Sequence, residues 1–284
     1  MKGKIIKVQC GCDMPHNHKF KEIKYEEVVI KFDTKVSDPR QINTIPLENS
    51  LYREIRKFQT KVKKSLKKQI GSDPIKNINS VNIDSNPLGK ILFNNLLEAY
   101  KLGKERAEAD VKLKVSRMAV GDIDTEALMA LEAYSFIEAK AFTEAQTQGL
   151  KYSVADGIRN GKGTKEIARQ LRPQLEDLHT YVQPSFDSKG NLERAGYIRV
   201  ISAKVRAEMM ARTETIGATN LGRLNTYAQN SITKVEGVVA GDERTCPICM
   251  DLIDGRIYTI NEAKGIIPVH PNCRCTWVIT EGGS

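Results

Sequence analysis

The chain has 284 residues, 28% of them charged and 40% hydrophobic, with a formal net charge of +9. That length suits one large or two modest domains, each burying a real core, and two is the expectation. No run of eighteen apolar residues occurs and the opening Met1-Lys-Gly-Lys-Ile-Ile has no secretory pattern, so the expectation is a soluble protein made in a cytoplasm, with no membrane contact at that stage.

Residues 1 to about 36 alternate polar and β-branched types, as in Lys4-Ile-Ile-Lys-Val-Gln and Tyr25-Glu-Glu-Val-Val-Ile-Lys-Phe32, which predicts a β-hairpin-like N-terminal segment over 1–40. Its turn carries Cys10, Cys12, His16 and His18. Those four are metal-ligand types, so the turn is either a second small zinc site or a polar loop with unrelated thiols.

Leu51, Ile55, Phe58, Val62, Leu66 and Ile70 recur at three- and four-residue steps, the spacing of an amphipathic helix over 51–70. The same stretch holds eight Lys or Arg against the single Glu54. Arg56, Lys57, Lys61, Lys63, Lys64, Lys67 and Lys68 give it a cationic outer face for DNA phosphates, anionic lipid or an acidic protein surface. The plainer alternative is a solvated helix over a core. Few aromatics are interleaved, so contact with nucleic acid would be to the backbone and independent of sequence.

Gly71 to Asn86 reads as a linker or exposed excursion. A helix begins at Asn86-Pro87 and runs towards Lys114; another spans Thr125 to Gln148 with Leu128, Leu131, Tyr134, Ile137 and Phe142 on one face. A short helix over Tyr152 to Arg159 and one from Thr164 to Leu178, kinked at Pro173, complete a helical domain over 41–180. A connection over 182–196 leads to a long helix from about Ile198 to Ser231, then short strands at Lys234 to Ala240, Gly255 to Thr259 and Thr276 to Thr280. The fold class is α+β: a mainly helical N-terminal part followed by a small α+β domain over 181–284.

The C-terminal segment concentrates soft-metal ligand types. Cys246-Pro-Ile-Cys249 is followed by His270-Pro-Asn-Cys273-Arg-Cys275. Pairs two residues apart let both side chains of a tight turn face one cation, so the pattern predicts a zinc-stapled turn. The best ligand set is Cys246, Cys249, His270 and Cys273, with Cys275 substituting or turned into the core. Four protein ligands leave no open position for water, which makes such a site structural.

The same residues carry a family resemblance. Ala211-Arg-Thr-Glu214, Asp242-Glu-Arg-Thr-Cys-Pro-Ile-Cys249 and Pro268-Val-His-Pro-Asn-Cys-Arg-Cys275 occur in that order. Over roughly residues 150 to 280 this resembles the Mu F-like phage minor head proteins of head morphogenesis. The resemblance implies a low-copy virion component, in the capsid interior or portal region, assembled in the bacterial host cytoplasm. Its implied partners are the portal protein and other head proteins, in procapsid assembly and DNA packaging or delivery. Arg212, Glu214, Asp242 and Arg244 are then a structural motif. Arg212 and Glu214 lie two apart on a helix, cannot face each other, and are expected to tie it to the sheet and the zinc turn.

The enzyme readings are weaker. A nucleotide deaminase needs His-x-Glu before its Cys-x-x-Cys, and none occurs. A zinc-stapled nuclease or hydrolase using His270 lacks a second catalytic His at the expected place. A DNA-binding accessory protein without a capsid role is the remaining alternative. The expectation is a protein that is not an enzyme.

Overall fold

The computed structural model describes residues 40–114, 124–182, 185–186, 192–194, 197–199, 201–242 and 245–280. The predicted N-terminal hairpin, its Cys10, Cys12, His16 and His18, and Arg244 lie outside the described residues. The architecture is α+β, with helices first and a small antiparallel sheet near the C-terminus.

Helix α1 (Ile45–Ile70) buries the predicted stripe Leu51, Ile55, Phe58, Val62, Leu66 and Ile70. It stops at Gly71, whose φ of 57° is open to a residue without a Cβ. The stretch after it is no linker. Asp73 caps α2 (Pro74–Asn77) by accepting the Lys76 N–H, a 3-10 turn follows over Ile78–Ser80, and Ile78 and Val81 enter the helical core. Two well-placed apolar residues suffice to bring a polar stretch back onto the core.

Helices α3 (Asn86–Lys114) and α4 (Thr125–Arg159) are long, and α4 runs without a break through the position where the sequence suggests two helices. Its buried face is also different. Ala127, Leu131, Ser135, Ala139, Thr143 and Leu150 turn inward, while Tyr134 and Ile137 are exposed. Small residues win that face because they let neighbouring helices approach closely. Helix α5 (Thr164–Asp177) continues through Pro173 and packs beside α1 and α4.

The predicted connection over 182–196 contains strands: β1 (Thr180–Val182) pairs antiparallel with β4 (Tyr197–Arg199), and β2 (Ser185–Phe186) with β3 (Leu192–Arg194). Helix α6 (Ala203–Gln229) starts at Ser202, whose hydroxyl accepts the Val205 N–H. It is the spine of the molecule. Its Ala207, Ala211 and Ala218 join the helical core, and its Ile216, Leu224 and Tyr227 join a second core around Trp277. Helix α3 crosses it so closely that a Cβ on Gly103 would collide with the Thr219 carbonyl, and one on Gly222 with the Tyr100 carbonyl.

After α6 come β5 (Lys234–Val238), α7 (Pro247–Leu252), β6 (Ile257–Thr259), α8 (Ile260–Ala263) and β7 (Thr276–Ile279). The sheet order is β6-β5-β7, all antiparallel, with Val235 opposite Tyr258 and Ile279. The edge of β7 is covered by α6. Asn220 accepts the Trp277 N–H at 3.0 Å and donates to the Cys275 carbonyl at 3.2 Å, standing in for a missing strand. Arg223, fully buried, adds a 2.6 Å bond to the Thr276 hydroxyl and a 2.7 Å ion pair with Asp110 of α3.

Candidate metal centre

Cys246 is the N-cap of α7, and its sulfur accepts the Cys249 N–H at 3.3 Å. That turn directs the Cys246 and Cys249 side chains to one side. Across the loop, the Cys273 N–H donates to the His270 carbonyl at 3.0 Å and folds His270 and Cys273 into a second tight turn. The two turns meet: His270 Nε2 lies 3.1 Å from both the Cys246 and the Cys249 sulfur, and Cys249 Sγ lies 4.0 Å from Cys273 Sγ. Cys249, Cys273 and Cys275 form an overlapping buried group with ligand atoms within 4.8 Å of one another. Together these five residues could hold a metal ion.

Their geometry fits a tetrahedral ion. Two thiolates on one zinc stand about 3.8 Å apart, and a thiolate and an imidazole about 3.5 Å. The Cys249 to Cys273 separation is already at that spacing, and His270 needs to draw back from Cys246 and Cys249 by only about half an ångström. His270 Nδ1 lies 2.8 Å from the Pro271 carbonyl, which can only accept. A proton on Nδ1 satisfies that carbonyl, and Nε2, which faces the sulfurs, is the nitrogen that would bind a metal.

The thiols do not share one protonation behaviour. The hydrogen bond from Cys275 outweighs burial at Cys273 and brings its pKa down to about 5. Burial raises Cys246, but hydrogen bonds from the Cys249 N–H and thiol, with the nearby imidazole, leave it below its usual value. Burial pushes Cys249 up to about 12. Cys275 is raised by its hydrogen bond to Cys273 and then by burial. Four sulfurs this close cannot all ionise without a cation among them, which is the electrostatic condition a metal relieves.

Outer contacts lock both turns. Arg274, between Cys273 and Cys275, makes a bidentate pair with Asp242 at 2.7 and 2.6 Å, joining the final ligand turn to the segment that leads into Cys246. Thr213 Oγ1 accepts the Asn272 N–H at 3.0 Å and fastens the second turn to α6. Neither Thr213 nor Arg274 stands out by spacing as a ligand would; their signal is position, inside Arg-Thr-Glu and between two cysteines. Arg212 and Glu214 point elsewhere than the sheet and the turn. Arg212 pairs with buried Glu48 of α1 at 3.2 Å, and Glu214 accepts the Tyr134 hydroxyl of α4 at 2.8 Å. Residues two apart on a helix are turned about 200° from one another around its axis and so face different neighbours.

The cationic residues of α1 divide into two sets. Lys63 and Lys67 pair with Glu176 of α5, and Arg56 donates to Gln59 Oε1 at 2.9 Å. Arg53, Lys57, Lys61, Lys64 and Lys68 form an exposed stripe with no acidic partner among the described residues. Among those residues no helix is long and apolar enough to cross a membrane.

No curated protein and no solved structure matches the chain. The family model described as Phage Mu protein F like protein matches residues 148–278, which take in α5, α6, the sheet and all five candidate ligands. Over that segment, which is less than half of the chain, the protein is similar to the Mu F-like phage head proteins.

Proposed function

We propose that this protein is a non-catalytic, low-copy head-morphogenesis component that acts beside the portal in procapsid assembly and genome packaging or delivery, with a zinc ion stapling its C-terminal domain. The observation that carries this reading is the protein-only donor set within the Mu F-like segment. Cys246, Cys249, His270 and Cys273 suffice for a closed tetrahedral shell, and soft thiolates with an imidazole suit zinc. A closed shell has no position for an activated water. The hydrolase alternative is disfavoured by the same contacts, since both nitrogens of His270 are engaged, one by the sulfurs and one by Pro271.

The staple supports a domain whose sheet has only three short strands. Metal binding energy then becomes folding energy for the loops that carry the ligands. Zinc content, thermal melting with and without a chelator, and co-assembly with the portal protein test the proposal together. The expected result is zinc in the purified protein, loss of the C-terminal unfolding transition when it is removed or in Cys246→Ser, and portal association that falls with it. Protein that lacks zinc and melts unchanged with chelator would refute the staple; zinc-replete protein that ignores the portal would refute the assembly role.

A further inference from the structure

The outward face of α4 carries a stripe that the fold leaves open. Glu126, Met129, Ala133, Ile137 and Lys140 follow one another at steps of three, four, four and three residues, so they share one line along the helix, and all five are exposed. The faces to either side are taken. Tyr134 donates to Glu214 of α6, and the ring of Phe136 packs over Gly89 of α3. Met129 and Ile137 are nonetheless 57% and 64% exposed, one on each side of Ala133.

We propose that this stripe is where two copies of the chain pair, α4 against α4, antiparallel about a two-fold axis at Ala133. The steps read the same in both directions from Ala133. Such a pairing sets Met129 against the partner's Ile137 and Glu126 against the partner's Lys140, each contact made twice by symmetry. Ala133 meets its own copy, and its small side chain lets the two helix axes close to about 8 Å. The charges select the direction. Antiparallel pairing joins a carboxylate to an ammonium at both ends of the stripe, whereas parallel pairing would set Glu126 on its own copy and Lys140 on its own. Within its own helix Lys140 reaches Glu144 at 3.8 Å, with both side chains largely exposed, a contact too weak to hold it back. From Glu126 to Lys140 the stripe runs about 21 Å. Two helices meeting over that length bury less than the roughly 800 Å² per partner of a standard interface, so the pair is reversible, with a dissociation constant on the order of 10–100 µM. The pairing needs neither the ligand turns nor α1, so it stands or falls apart from the metal and nucleic-acid readings.

Sedimentation velocity of the full chain over a range of concentration tests the pairing. The expected result is a monomer–dimer equilibrium that Ile137→Asp weakens at least about 10-fold. Lys140→Glu and Glu126→Lys should each weaken it alone, and the chain carrying both should dimerise again, because the two charges have only changed places. Direction is read by mixing. Dye-labelled wild type should refuse the doubly reversed chain, since every end contact would then join like charges; acceptance would overturn the antiparallel arrangement. The substituted side chains are exposed, so melting temperatures of dilute samples should match wild type, which separates a lost contact from a lost fold. Ile137→Ala, which favours the helix, replaces the aspartate variant if that one unfolds α4. A wild-type chain that stays monomeric well above the expected constant, or a dimer indifferent to the Ile137 change and to both single reversals, would overturn the proposal.

Discussion

Burial pushes the Glu214 carboxyl up to about 7; the Tyr134 hydroxyl, donating at 2.8 Å, opposes the rise and nearby Glu138 adds to it. A carboxyl whose folded pKa lies above its unfolded value, about 4.3, favours the folded state fully below that value and loses the contribution as pH rises through about 7. Wild-type stability should therefore decline between pH 5 and pH 8 relative to Glu214→Gln, which keeps the Tyr134 bond and cannot ionise. With Tyr134 42% exposed, solvent screens the site, and the advantage of the variant at pH 8 should be on the order of 1 kcal/mol, be clearly smaller at pH 5 and vanish below about pH 4. Urea melts of the two proteins at both pH values measure it, and equal differences at both would mean that Glu214 titrates normally. Its neighbour Arg212 has a different task. It neutralises Glu48, only 3% exposed, in a pair 164 residues apart in sequence. Breaking such a buried pair on one side typically costs about 3–5 kcal/mol, so Arg212→Ala should be among the most destabilising changes in α6, as read from the same melts.

The crossing of α3 and α6 holds the two halves of the fold in register. Glycine inside a helix ordinarily gains up to about 1 kcal/mol on replacement by alanine. Gly103→Ala should do the reverse, since its Cβ would meet the Thr219 backbone and no side chain can rotate away. Overpacking of this kind costs about 1–3 kcal/mol, and a thermal melt showing stabilisation instead would rule out the close approach. Such contacts explain what the sequence conceals. The α1 stripe is legible because large apolar residues recur on one face. The buried face of α4 is not, because Ala127, Ser135, Ala139 and Thr143 carry little hydrophobic signal, while exposed Tyr134 and Ile137 carry much. The donor cluster is legible from spacing alone, since Cys-x-x-Cys and His-x-x-Cys turns present ligands by local geometry. The partners of Arg212 and Glu214 are not, because Glu48 and Tyr134 come from distant helices whose placement only the packed core determines.

Across the whole molecule, the metal cluster and the cationic stripe sit on different elements, one on the loops of the sheet and the other on α1. We propose that the loops of the sheet dock to protein while the exposed stripe of α1 meets nucleic acid. Glu176 already neutralises Lys63 and Lys67, its own carboxyl pulled down to about 2 by their hydrogen bonds. Lys57, Lys61, Lys64 and Lys68, with Arg53 at the head of the stripe, remain for a polyanion, spread over roughly 22 Å of helix. Such a ladder can neutralise phosphates along a duplex without reading bases. Replacing those four lysines with glutamine should lower the slope of log affinity against log salt by about 3–4, since each phosphate contact contributes about 0.9 on duplex DNA. Fluorescence anisotropy with two unrelated duplexes over a range of salt supplies the slopes. The two duplexes should behave alike, and Lys63→Gln with Lys67→Gln should change the slope far less than the four outward replacements. If all the variants bind as the wild type does, α1 serves a protein partner, and the excess charge belongs to the docking side of the molecule.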